Sequence, residues 1–255
     1  MVLTLPIREV LPATPRARIA RLDLNGHTFD FAAGQAVLVA SHGLDDRRPY
    51  SIAVAPEDAR RDRYLELLVG VDPAGLPGPH LRLEPGELVD IEGPLGAFTF
   101  PASPEEQRFV FIAGGTGIAP LRAMLRHALT IPHRNIGLFY SARTPDEFAY
   151  EQELRSLAIA GDIELRQTVT RAPEADWTGW RGRLGRDALE ELVHDPATLC
   201  FVCGPRALVD EMPQLLADLG IARARIRIEE WGTSPPPAPP APPALPVPPA
   251  QPGPQ

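Results

Sequence analysis

The sequence is short of cysteine, of basic runs and of long apolar stretches, and each shortage removes a class of protein. Cys200 and Cys203 are the only cysteines in 255 residues, too few and too close together to staple a fold of this size, which agrees with a reducing compartment. Lys and Arg number 25 against 33 Asp and Glu, for a net charge of −8 and a pI near 5.3. Short basic runs such as RARIAR (16–21) and RRDR (60–63) are diluted by acids, so the footprint of a phosphate-backbone binder is missing and no nucleic-acid partner is expected. No apolar run approaches the roughly 18 residues of a spanning helix, and MVLTLPIREV lacks a charged segment followed by an apolar one. The expectation is a cytoplasmic protein with no membrane span. An apolar share of 44% with 23% charge is enough to bury a core.

What is present falls into three zones. Residues 1–103 read as short strands punctuated by Gly, Pro and Asp, namely ARIARLDL (17–24), QAVLVAS (35–41), PYSIAVA (49–55), YLELLVGV (64–71) and ELVDIEG (87–93), with no long helical period. That spacing predicts a small antiparallel barrel or sandwich. Residues 104–232 change grammar: RFVFIAG, NIGLFYS, DIELRQTVT, LCFVCG and RIRIEEW read as strands, alternating with the helical stretches GIAPLRAMLRHAL, PDEFAYEQELRSLA, RDALEELV and PRALVDEMPQLLADLG. Alternation of this kind predicts an α/β domain, a doubly wound parallel sheet covered on both faces. In the last helix Leu208, Met212, Leu215, Leu216 and Leu219 form one stripe, read as core. Residues 233–255 carry 12 of the 31 prolines and no charge, a composition that cannot bury a core and favours an extended tail or linker.

FIAGGTGIAPL (111–121) runs a hydrophobic strand through Gly114, Gly115, Thr116 and Gly117 straight into a helix. Loop amides and the positive end of the helix dipole then face one spot, which attracts a phosphate. No Gly-Lys-Ser/Thr follows, so it is not a P-loop, and Pro120 stands where a dinucleotide fingerprint has its third glycine. A tight turn without a ligand is the competing reading. In RRPYSIAVAP (47–56), Arg48 and Tyr50 share one strand face and Ser51 the other. The pair suits either a plain cross-strand contact or a grip on a diphosphate with a planar ring laid on Tyr50. Cys200 and Cys203, three apart in a strand, point to opposite faces, so neither a disulfide nor a shared metal fits and no metal site is expected. Cys200 reads as a small buried hydrophobe, and Cys203 ends its strand at the carboxyl edge where open α/β sheets place ligands. In YSARTPDE (140–147), Ser141 and Arg143 suit a 2′-phosphate, with Arg171 adding to the cationic side, whereas Asp146 and Glu147 suit a free ribose hydroxyl.

The order Arg-x-Tyr-Ser, Gly-Pro-x-Gly-x-Phe (93–98), Gly-Gly-Thr-Gly-x-x-Pro and Cys-Gly-Pro (203–205) resembles the ferredoxin-NADP reductase family over residues 1 to about 232. That resemblance implies a flavin-binding antiparallel Greek-key β-barrel followed by a nicotinamide-nucleotide domain. It implies FAD, with FMN as the alternative flavin, and NADPH or NADH as substrate, with NADPH preferred. Arg48 would hold the flavin pyrophosphate, Tyr50 would pack on the isoalloxazine, and Ser51 would sit near its reactive N5, with Pro49 and Val69 also on the flavin side. The family's Gly-x-x-Ser/Thr falls on Gly75 to Gly78, so Gly78 replaces a hydroxyl that meets the flavin phosphates. Gly114, Gly115, Thr116, Gly117 and Pro120 would take the nucleotide pyrophosphate, Ser141 and Arg143 its ribose, and Gly204 and Pro205 the nicotinamide end. Cys203 would lie beside the hydride-bearing carbon, Glu229 in RIRIEEWG would be the acidic partner near N5, and Trp231 would close over the ring. Glu230 is the competing carboxylate, one register step away. The implied activity passes electrons from NAD(P)H through flavin to a separate ferredoxin-like, iron-sulfur, haem or oxygenase partner, with the proline tail as tether. A non-catalytic flavin- or nucleotide-binding assembly module is the rival.

Overall fold

A computed structural model describes residues 2–171 and 177–230 of the chain. The first sheet is built from β1 (Val2–Thr14), β2 (Ala17–Asp23), β3 (Ala36–Ser41), β4 (Arg48–Ser51), β5 (Tyr64–Gly70) and β6 (Leu88–Leu95). They pair antiparallel in the order β4-β3-β6-β1-β2-β5. A bridge between Ile52 and Leu67 and a hydrogen bond from the Ala53 amide to the Glu66 carbonyl at 2.8 Å join the two edge strands and close the sheet into a barrel. Alternate side chains, among them Leu5, Val37, Val39, Leu65 and Ile91, fill the barrel interior.

Two elements of this half are not predicted by the sequence pattern. β1 contains Pro6 and Pro12, which demote a run on sequence grounds. Here Pro6 falls where β1 leaves β6, and Pro12 sits at a bulge in its pairing with β2, so the strand changes partner where it lacks donors. The second is helix α1 (Pro56–Asp62), which cuts the expected strand 49–55 short at Ser51; Pro56 opens it and Arg63 ends it in the left-handed region.

The second sheet is wholly parallel, in the order β10-β9-β8-β7-β11-β12, from β7 (Arg108–Gly114), β8 (Asn135–Ala142), β9 (Glu164–Val169), the short β10 (Trp180–Arg181), β11 (Leu199–Gly204) and β12 (Ile226–Glu230). Helices α2 (Ile118–Ala128), α3 (Glu151–Ala160), α4 (Arg186–Glu190) and α5 (Arg206–Asp218) connect them. The expected helix over 145–158 starts six residues late, after a 3-10 turn at Pro145–Glu147. On α5, Val209, Met212 and Leu216 are buried, with Leu208, Leu215 and Leu219 partly buried against the same cluster. Trp231 and the proline-rich tail lie outside the described residues. No helix among those described is long and apolar enough to cross a membrane.

The halves share a core: one apolar cluster runs from Ile19, Ala53 and Leu68 of the barrel to Phe111, Met124 and Phe201. Phe100, on the connecting segment, stacks on Phe201 with centroids 5.4 Å apart and meets Phe109 edge-on at 4.9 Å. Beside it Arg122 of α2 crosses into the barrel, donating to Glu66 at 2.9 Å and to the Ala53 carbonyl at 2.6 Å, while Glu153 takes its other edge at 2.8 Å. Arg126 pairs with Asp58 of α1, and His127 with Glu57 at 3.0 Å. Because Arg122 is 9% and Glu66 1% exposed, removing the cation strands a buried carboxylate with Arg21 as its one counter-ion among the described residues. Arg122→Ala is expected to lose about 3 kcal/mol in denaturant unfolding; a loss no larger than that of an exposed pair, such as Arg186→Ala beside Glu190, contradicts this.

Candidate active site

In the parallel sheet the chain runs from β7 outward to β10, then returns to β11 on the other side, so strand order reverses between β7 and β11. Open α/β sheets bind ligands at such a reversal. There the carboxyl ends of the strands open onto a cleft of about 1050 Å³, whose opposite wall is the barrel loop carrying Leu76, Pro77 and Gly78. Gly114, Gly115, Thr116 and Gly117 all line it, as a strand end and a 3-10 turn leading into α2. The turn lies against β11 closely enough that a Cβ on Gly117 would stand 2.4 Å from the Cys203 carbonyl oxygen. At Gly115, where φ is +55, the space a side chain would take is open. Tyr140, fully buried, donates its hydroxyl proton to the Gly115 carbonyl at 3.0 Å and accepts from the Ala149 amide at 3.2 Å. It fixes the turn, a role that no motif in YSAR marks.

Ser141, Arg143 and Arg171 line the same cleft from the ends of β8 and β9, held together by the Arg171 amide bonding to the Arg143 carbonyl at 2.8 Å. Three acids also line it: Asp72, whose carboxylate accepts from backbone amides of its own loop, and two that are paired with arginines. Arg16 of the barrel meets Glu147 at 3.6 Å, and Arg183 meets Glu211 at 3.1 Å.

At the carboxyl end of β11, Gly204 and Pro205 face the cleft. Cys203 is fully buried among Phe98, Ile118 and Ala119 instead of lying open at the strand edge, because the glycine turn packs over the end of β11. Its thiol donates toward Glu229 Oε2 at 3.9 Å, and the parallel register sets Cys203 opposite Glu229. Neither cysteine is in a disulfide, and Cys200 lies in the cluster on the other face of the sheet, where burial pushes its thiol up to about 12.

On the barrel, Arg48, Pro49, Tyr50 and Ser51 make up β4. Arg48 is half exposed and, among the described residues, pairs with Asp46 alone, at 3.3 Å, a solvent-screened pair that a phosphate can displace. Ser51 is buried. Tyr50 hydrogen-bonds His80, and burial pushes its phenol up to about 12. Val69 is fully buried in the barrel core, leaving only its backbone to a ligand. Gly75 and Gly78 both have positive φ, in a loop where the Asp72 carboxylate accepts from the Ala74 and Leu76 amides at 2.9 Å. Pro120 is buried in the first turn of α2 and is not among the residues lining the cleft.

The fold joins an antiparallel barrel to a parallel α/β half with a cleft between them, and comparison with known proteins identifies both halves. Residues 6–100 match the oxidoreductase FAD-binding domain and residues 111–213 the oxidoreductase NAD-binding domain. Ferredoxin–NADP reductase B of Sorangium cellulosum is 33% identical over 238 residues, covering 88% of this chain and 94% of its own. Cytochrome b5 reductase 4 of Rattus norvegicus is 32% identical over 169 residues, 63% of this chain but 32% of that longer protein. Among solved structures, the Amycolatopsis cytochrome P450 reductase superposes with a TM-score of 0.76 at 26% identity, covering 91% of this chain and 70% of that one. The chain belongs to the ferredoxin-NADP reductase family of FAD- and NAD(P)-binding oxidoreductases. It is an NAD(P)H-dependent flavoprotein enzyme, which sets aside the reading as a non-catalytic assembly module.

The residues present fit both groups. The open space at Gly115 leaves the turn accessible to a pyrophosphate, and Arg48 is held by nothing stronger than an exposed carboxylate. The two glycines of the turn should respond differently to one added methyl group. Gly117→Ala drives backbone into backbone and is expected to lower the thermal midpoint by several degrees. Gly115→Ala costs about 1 kcal/mol of backbone strain and leaves the fold intact. Thermal unfolding of both variants checks this, and equal midpoints would contradict it.

Proposed function

We propose that this protein takes electrons from NADPH and delivers them, through FAD, to a separate one-electron carrier protein, ferredoxin-like or an oxygenase partner. Bound FAD supplies the exchange between a two-electron donor and a one-electron acceptor, chemistry that no side chain here performs. The chain's own residues bind, orient and exclude water. Amides of Gly115 and Thr116 at the start of α2 take the nucleotide pyrophosphate, with Tyr140 holding the turn. Arg48 takes the flavin pyrophosphate, with Pro49, Gly75 and Gly78 beside it and Val69 offering backbone, and Tyr50 underlies the flavin ring beside Ser51. Cys203, Gly204 and Pro205 flank the nicotinamide, and the thiol of Cys203 donates toward the carboxylate of Glu229, the acidic partner of the ring site. Trp231 closes the ring site by resemblance alone.

The single observation carrying the choice of NADPH is the charge of the cleft. With Glu147 and Glu211 each neutralised by an arginine, and the Asp72 carboxylate taken up by the Ala74 and Leu76 amides, Arg143 and Arg171 are left beside Ser141 without an ion-pair partner among the described residues. Such a pair recognises a 2′-phosphate, whereas a free ribose hydroxyl calls for an unpaired carboxylate. The carrier is supported by the names of the relatives, which specify ferredoxin, cytochrome b5 and cytochrome P450. It is supported too by the two cysteines, which lie on opposite sheet faces and supply no four-cysteine cluster set. We take residues 1–103 as the flavin domain, 104–232 as the nucleotide domain and 233–255 as a tether. Its compartment is taken to be the reducing cytoplasm, in keeping with two cysteines outside any disulfide.

Steady-state reduction of a ferredoxin or cytochrome tests this. Arg143→Ala and Arg171→Ala are each expected to raise the KM for NADPH about tenfold, the cost of one charge-assisted contact, and to leave that for NADH unchanged. A wild-type preference for NADH, or equal losses with both nucleotides, contradicts the assignment.

A further inference from the structure

Tyr50 is not a free-standing ring. Its hydroxyl lies 2.7 Å from Nε2 of His80, and the two rings are stacked, with centroids 6.0 Å apart and planes 14° from parallel. His80 is 2% exposed, and its carbonyl accepts from the Ser41 amide at 2.9 Å, which anchors it to the end of β3. The charged groups near the pair are Arg48 and Asp46, at the start of the same strand. Burial, and then the charge of Arg48, lower the affinity of His80 for a second proton, so a neutral imidazole faces a neutral phenol.

The other imidazole nitrogen, Nδ1, is buried without a hydrogen-bond partner, and it faces Gly78. A Cβ built on Gly78 would stand 3.3 Å from Nδ1 and 3.6 Å from Cε1, and φ there is +109. Any side chain at 78 would be strained and would press on the imidazole. This is the position where the family pattern carries Ser or Thr. A side chain at position 78 and the imidazole two residues later therefore crowd one another.

We infer that Gly78 and His80 act as one unit: the glycine leaves room for the imidazole, and the imidazole fixes the orientation of Tyr50 as the flavin platform. His80 is thus a positioning residue that acts through Tyr50, and it supplies by preorganisation part of the flavin affinity lost with the hydroxyl. This rests on the reading above that Tyr50 packs against the flavin.

The experiment is FAD affinity of the full chain, measured by fluorescence during reconstitution, with flavin-band circular dichroism as a second readout. His80→Phe keeps a ring and removes the hydrogen bond; Tyr50→Phe removes it from the other side. Each is expected to weaken FAD binding about fivefold, the worth of one such bond, to change the dichroism alike, and to add nothing further when combined. Gly78→Ala is expected to weaken binding in the wild-type background and to add a smaller loss beside His80→Ala, where the ring is gone and only the backbone strain at 78 remains. Additive losses, or wild-type affinity in folded His80→Phe while Tyr50→Ala binds weakly, overturn the inference alone. Unchanged affinity in Tyr50→Ala overturns the reading of Tyr50 and the inference with it.

Discussion

The guanidinium of Arg122 leaves helix α2 and ends inside the barrel, between Glu66, the Ala53 carbonyl and Glu153, stacked over the Tyr150 ring at 4.2 Å. A charge buried this deeply is tolerable only while all its partners stay in place, so it ties β5, the segment before α1, α2 and α3 into one arrangement. The phenylalanine stack around Phe100 supplies the apolar area that ion pairs alone do not. The consequence is functional. The cleft takes one wall from the parallel sheet and the other from the barrel loop, and its width is set by this interface. The Arg16–Glu147 contact bridges the same two halves at the cleft itself, linking the fold's constraint to nucleotide choice.

Within that frame the site divides its work by burial. The groups proposed to receive a ligand, Arg48, Thr116 and Arg171, are exposed or weakly held. Those that must not move, Tyr140, His80 and Cys203, are at most 2% exposed and tied to backbone or carboxylate. Soft contacts at the rim and fixed ones beneath are what a site requires when its chemistry belongs to bound groups and the protein contributes position.

Much of this was legible in the sequence, for identifiable reasons. Strands of the parallel sheet are continuous apolar runs, and GGTG and CGP mark tight turns that only glycine and proline allow, so both the sheet and its ligand edge could be read. The opposite facing of Cys200 and Cys203 followed from strand period alone, and the structure assigns them to clusters on different faces. Less legible were the features that depend on distant partners. β1 hid behind two prolines whose missing donors are harmless only because the strand changes partner there. Helix α1 is seven residues long, below the length at which periodicity speaks, yet it carries Glu57 and Asp58 to the interface. The pairing of Glu147 with Arg16 joins residues 131 apart in the chain and turns an apparent ribose ligand into a neutralised one. His80 looked like a loop residue until the geometry set it against Tyr50.

The most direct test of the whole account is the visible absorption spectrum of the purified protein during anaerobic titration with NADPH. Flavin bands present at the start and bleached by stoichiometric NADPH are the predicted result. A bound flavin that stays oxidised with both NADPH and NADH would contradict the coupling of the two halves through this cleft.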